Sequence, residues 1–145
     1  MQNLPHHYSV AATSTSAGNV DLRSPGLTPI ESAAPAEFGG PGDLWSPETL
    51  LAAAVADCFI LSFRAIARAS KLDWTSVSCD VEGILDRVEK VTRFTEFNLR
   101  VVLDVPAGTD EQKAMRILDK SENACLITNS MTSETNLDAE VRVSE

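Results

Sequence analysis

Hydrophobic and polar positions change period several times along this chain, and each change predicts a new element. Short alternations at Tyr8–Ala12, Asn19–Leu22 and Leu27–Glu31 predict a small antiparallel meander. The segment from Ala33 to Trp45 then gathers Pro35, Gly39, Gly40, Pro41 and Gly42, which predicts a loop. Ser46-Pro47-Glu48 marks a helix start by a hydroxyl N-cap, a first-turn proline and an acid at the positive end of the helix dipole. That helix is expected to reach about Ser70. Its first three turns are apolar almost all round, which predicts burial on every side. A domain this small seldom supplies so much cover alone, so a symmetric second copy is its expected source.

Further on, Val77, Cys79, Val81 and Leu85 share one phase of the run Leu72–Leu85, and Phe97, Leu99, Val101, Leu103 and Val105 share one phase of the next. Both patterns predict half-buried strands, joined as a hairpin through the charged turn Asp86–Lys90. Thr109-Asp-Glu-Gln112 reads as a capping box. It opens a second helix to near Glu122, with Ala114, Ile117 and Leu118 inward and Lys113, Arg116 and Lys120 outward. Leu137, Ala139, Val141 and Val143 alternate with Asp138, Glu140 and Arg142 as a closing strand. Strands, a long central helix, more strands and a second helix predict an α+β fold, one domain over residues 1–145 without internal repeats.

Composition narrows the function. Twelve basic against 21 acidic residues give a net charge of −9, which argues against nucleic acid or anionic lipid as partner. The longest apolar run, Leu50–Phe63, is interrupted by Asp57 and falls short of the roughly 20 residues of a membrane span. No membrane segment is expected, and Met1-Gln-Asn-Leu-Pro-His-His lacks the pattern of a secretory signal, so a cytoplasmic location is expected. Three widely spaced cysteines, Cys58, Cys79 and Cys125, form neither a disulfide framework nor a metal-ligand pattern, and the adjacent His6 and His7 are a poor metal site.

If the cysteines act, they act as thiols. Cys79 shares a strand face with Val77 and Val81 and reads as a core residue. Cys58 falls in one helical stripe with Leu51, Ala54, Leu61 and Ala65, and by spacing alone it too reads first as a core thiol. Cys125 follows the second helix in a polar stretch, Ser121 to Ser130, which leaves packing and function both open.

Gly39-Gly40 through Ser46-Pro47-Glu48, followed by Leu50-Leu-Ala-Ala-Ala-Val-Ala-Asp-Cys58-Phe59, resembles the signature of the osmotically inducible protein C and organic hydroperoxide resistance (OsmC/Ohr) family. Ala124-Cys125, after the penultimate helix and before the last strand, fits that family's second cysteine. The resemblance implies an intertwined α+β homodimer with antiparallel β-sheets packed around long central helices. It implies a peroxidase for organic hydroperoxides or other peroxides, with Cys58 peroxidatic and Cys125 resolving. An external dithiol, lipoyl-linked in some relatives, would restore both thiols, and no metal or organic cofactor is implied. Glu48 matches the glutamate that holds an activating arginine in such relatives.

Three positions depart from the family pattern. The stretch Thr13-Ser-Thr-Ser-Ala-Gly18, where relatives carry the activating arginine, has none, and the first arginine is Arg23. Asp57 stands where relatives have a small residue, and a carboxylate beside a thiol disfavours the thiolate. Leu126 replaces a proline of the hydroperoxide-resistance subgroup, so the chain resembles a general OsmC-like member. Arg64 and Arg68, six and ten positions beyond Cys58, do not share its helix face at an i+3 or i+4 spacing. Glu48 and Cys58 are ten residues apart, about 15 Å along a straight helix, so sharing one site would require two subunits or a sharp bend. A second reading is a non-peroxidatic dimer of the same fold that binds a small apolar ligand at the interface.

Overall fold

The computed structural model describes residues 1–145 and divides into two compact units, Met1–Leu50 and Leu51–Glu145. In the first, β1 (Ala11–Thr13), β2 (Val20–Arg23) and β3 (Ile30–Ser32) form an antiparallel sheet in the order β1-β2-β3. The expected meander is present, each strand starting one to three residues later than the alternation suggested. The loop after β3 is ordered by its own backbone. A 3₁₀ turn at Ala36–Phe38 ends on Gly39 at φ 83°, and the Ala33 amide donates to the Trp45 carbonyl at 3.0 Å. A Cβ on Gly40 would stand 1.6 Å from the Ala34 carbonyl oxygen, so the close turn admits only glycine.

This first unit has almost no core. Only Ser32 and Ser46 are buried, while Tyr8, Val10, Leu27, Phe38 and Trp45 each expose more than half of their surface. Ser46 opens α1 (Pro47–Ala69) as expected, through a reciprocal cap: its hydroxyl accepts from the Thr49 amide at 3.1 Å, and the Thr49 hydroxyl accepts from the Ser46 amide at 2.8 Å.

In the second unit α1 meets β4 (Ser76–Val88), β5 (Val91–Val105) and β6 (Glu134–Val143), ordered β4-β5-β6, together with α2 (Glu111–Ala124) and the short α3 (Leu126–Asn129). Val55, Phe59, Phe63 and Ala67, four residues apart on α1, are fully buried, as are Phe97, Val101, Leu103 and Val105 on β5. Ala114, Ile117 and Leu118 bring the inward face of α2 to the same core, as its pattern predicted. Burial of α1 is nevertheless a stripe and not a full circle: Leu61 is 52% exposed. Length and hydropathy alone would let α1 cross a bilayer, and only 22% of its most apolar window is buried. Its fully buried stripe marks it as a core helix.

Four sequence-based details are corrected by local geometry. The strand before the hairpin begins at Ser76, because Lys71 at φ 53° and the Leu72 amide bonded to the Ala67 carbonyl still close α1. The hairpin turn shrinks to Glu89 and Lys90, both left-handed at φ 51° and 68°, so the strands continue through Val88 and from Val91. The true N-cap of α2 is Asp110, whose carboxylate accepts from the amides of Gln112 and Lys113, while Thr109 donates to Pro106. A bulge between Ile84 and Leu85 shifts the register, which turns Leu85 out of the inward phase and brings Phe94 beside Phe97 at 4.9 Å between ring centroids.

The sheets were expected to be antiparallel; β5 and β6 pair in parallel from Glu96–Glu134 to Val105–Val143. A parallel neighbour requires a crossover, which α2 and α3 supply.

Two stability measurements test this packing. Gly83→Ala would place a Cβ 2.8 Å from Phe97 and 2.9 Å from Phe94, and should destabilise the fold by about 1–3 kcal/mol in urea unfolding. Asp110→Ala removes two cap acceptors and should cost about 1 kcal/mol by the same measurement.

Candidate functional site

The buried stripe of α1 fixes the direction of its neighbours. With Phe59 held in the core, the preceding Cys58 turns about 100° away, partly buried, toward the end of α2. There the α2 stripe Ala114, Ile117, Leu118 and Ser121 ends, and Cys125 caps the helix, its amide donating to the Glu122 carbonyl at 3.2 Å. Cys125 is 1% exposed. A cavity of about 480 Å³ opens over Cys58, with Asp57, Leu61, Ser62, Leu126 and Ile127 among its walls.

The two thiols are neighbours with different access. Burial pushes the Cys125 thiol above its ordinary value, and the Thr128 amide and hydroxyl pull it back in part. The neighbouring Cys58 thiol pushes it up again. Both remain free thiols. Ser62, one helical turn beyond Cys58, places its hydroxyl 4.0 Å from the Cys58 sulfur. Ser62 and Thr128 were missed in the sequence, although their i+4 and i+3 spacings from the two cysteines carried the signal.

The remaining candidates separate. Cys79 packs against the core on β4, and burial first, then Asp80 and Cys125, push its thiol up to about 12, in keeping with a packing role. Arg23 is bound to Asp21 at 2.5 Å on the exposed side of β2. Arg64 and Arg68 are exposed and stand outside the walls of the Cys58 cavity. Asp57 is exposed, lines that cavity and forms no ion pair.

Glu48 sits in the first turn of α1, and α1 runs unbroken past Cys58, so no bend shortens the helical span of about 15 Å between them. Its carboxylate lines a separate cavity of about 560 Å³ within the first unit, walled by Ala12, Val20, Leu22, Pro35 and Phe38. One buried oxygen, Oε2, has no hydrogen-bond partner there. Arg23 is the only lysine or arginine of the first 50 residues, and Asp21 already holds it. No group of three or more His, Cys, Asp or Glu side chains is arranged to hold a metal ion.

The family model described as OsmC-like protein matches residues 40–140, a span that includes Glu48 and both cysteines of the site. An uncharacterized protein, YmaD of Bacillus subtilis, is 29% identical over 112 residues, covering 75% of each chain. An OsmC-like protein of unknown function from Vibrio cholerae superposes with a TM-score of 0.84 at 21% identity, over 94% of this chain and all of that one. An organic hydroperoxide resistance protein from Elizabethkingia anophelis gives 0.76 at 20% identity, over 97% and 100%. One from Legionella pneumophila, named OsmC, gives 0.70 at 26% identity, over 97% and 100%. With its fold shared across these structures and the family pattern covering most of its length, the chain belongs to the OsmC-like protein family.

Proposed function

We propose that this protein is a thiol peroxidase that reduces organic hydroperoxides, with Cys58 as the peroxidatic and Cys125 as the resolving residue. The observation that carries this reading is the asymmetry of two adjacent thiols: Cys58 lines a mostly apolar cavity, whereas Cys125 lies behind it, 1% exposed. A hydroperoxide entering the cavity meets Cys58 first. The Cys58 thiolate attacks the outer peroxide oxygen, the O–O bond breaks, sulfur is oxidised to a sulfenic acid, and the alkoxide leaves as an alcohol after taking a proton. Cys125 loses its proton as its sulfur attacks the sulfenic sulfur. The S–S bond forms, the S–OH bond breaks, and the hydroxyl leaves with the Cys125 proton as water. An external dithiol reduces the disulfide by thiol exchange and is itself oxidised.

The working form in this proposal is a cytoplasmic homodimer. The half-exposed faces of α1 and the nearly coreless N-terminal sheet are the surfaces a second copy would cover. In that assembly the partner's α1 runs antiparallel, and Glu48, whose Oε2 has no partner within its own chain, completes the site around Cys58 of the other subunit. Three free thiols accord with a reducing compartment.

One observation favours a second reading, in which the same fold binds a small apolar ligand without turnover. No basic side chain lines the Cys58 cavity, so the thiolate lacks the cation that usually stabilises it.

Thiol titration decides between the two. One equivalent of cumene hydroperoxide should remove two of the three thiols of the reduced protein, and peptide mapping should find a Cys58–Cys125 disulfide with Cys79 still reduced. Cys58→Ser should abolish the reaction, whereas Cys125→Ser should consume one equivalent and stop at the sulfenic acid. Retention of all three thiols would leave the binding reading.

A further inference from the structure

Within its own chain, the Cys58 cavity carries one formal charge, that of Asp57, and Asp57 forms no ion pair. Asp57 and Cys58 are consecutive on α1 and share the cavity wall, which otherwise consists of alanine, leucine and isoleucine side chains and the Ser62 hydroxyl. The ion pairs of the chain lie elsewhere: Arg23 with Asp21, Arg100 with Asp138 and Glu140, and Arg142 with Glu140. Arg64 follows Asp57 by seven residues, a helical rise of about 10 Å, and stands outside the cavity wall. Asp57 is exposed, so water screens its carboxylate in part, but the apolar walls add no dipoles of their own and the remaining field reaches the space over the sulfur.

We propose that Asp57 is a specificity-determining residue that makes this cavity a charge filter, admitting neutral or cationic reactants to Cys58 and turning away those that carry a carboxylate. If the peroxidase reading on which this rests holds, the substrates are neutral alkyl or aryl hydroperoxides, or hydroperoxides bearing an ammonium group. Hydroperoxides of free fatty acids are disfavoured. A unit charge held about 7 Å from Asp57 in a partly screened medium changes an encounter rate by about three- to tenfold in each direction.

Alkylation tests the filter without requiring any peroxidase turnover. The rates at which Cys58 reacts with a trimethylammonioethyl and a sulfonatoethyl methanethiosulfonate are measured by peptide mapping on the full, reduced protein. The same ratio, taken on the chain unfolded in urea, serves as reference. The native protein should favour the cationic reagent at least threefold over that reference. The bias should shrink in 0.5 M salt, fall in Asp57→Asn and persist in Asp57→Glu. An unbiased native protein, a bias toward the anion, or a bias unchanged in Asp57→Asn would overturn the proposal. If Asp57→Asn does not fold, the native ratio and its salt dependence decide the matter. A parallel comparison of cumene hydroperoxide with a fatty-acid hydroperoxide separates the two claims. Loss of thiol to neither peroxide, with the alkylation bias intact, defeats the peroxidase reading and leaves the filter standing.

Discussion

The packing of four α1 residues against one face of β5 governs the rest of the molecule. Val55, Phe59, Phe63 and Ala67 lock the rotation of α1 about its own axis against Phe97, Leu99, Val101, Leu103 and Val105. A helix whose rotation is fixed has the direction of every other side chain fixed as well, in steps of about 100°. Cys58 thereby faces the end of α2, and Asp57 and Leu61 face the cavity. The second thiol is placed by the same means, since Cys125 terminates the buried stripe of α2. Two amphipathic helices anchored on one strand bring the sulfurs together without any polar network built for that purpose.

That economy has an electrostatic counterpart. Apart from Arg23 with Asp21 on β2, the ion pairs lie on the outer face of the β5–β6 pair, where Arg142 and Arg100 hold the Glu140 carboxyl below its usual range. Within its own chain, only Asp57 brings a charge to the Cys58 cavity. No cation of its own chain stands beside the Cys58 sulfur.

Much of this was legible in the sequence because it rests on periodicity. The α1 start, the inward face of α2 and the buried phase of β5 follow from spacing alone. What escaped depends on geometry between distant segments. The bulge at Leu85 breaks an alternation that looks continuous on paper. Parallel pairing of β6 is invisible in its own alternation, because strand direction is set by the connection. The left-handed Glu89 and Lys90 occupy a turn whose usual residues are asparagine and glycine, so the charged run Asp86–Lys90 marked the turn but not its two-residue extent. For the site, residue types nominated Cys58 and Cys125, but their proximity needed the fold, and the unpaired states of Asp57 and of Glu48 Oε2 needed the full inventory of contacts. Ser62 and Thr128 were overlooked because hydroxyls on helices are common and acquire meaning only beside a sulfur.

The parallel pairing of β5 with β6 also bears on when the site comes into being. The segment that carries Cys125 is a crossover between two strands aligned over ten residue pairs, and those pairs join positions 38 apart in sequence. Such contacts form late, because a long loop must close before any of their hydrogen bonds reward it. On a growing chain α1 and the β4–β5 hairpin are complete well before the final strand, so Cys58 and Cys79 spend the early life of the polypeptide without Cys125 in place. The placement of the thiol pair depends in this sense on β6, and a chain stopped before β6 lacks the parallel pairing that closes the crossover carrying Cys125.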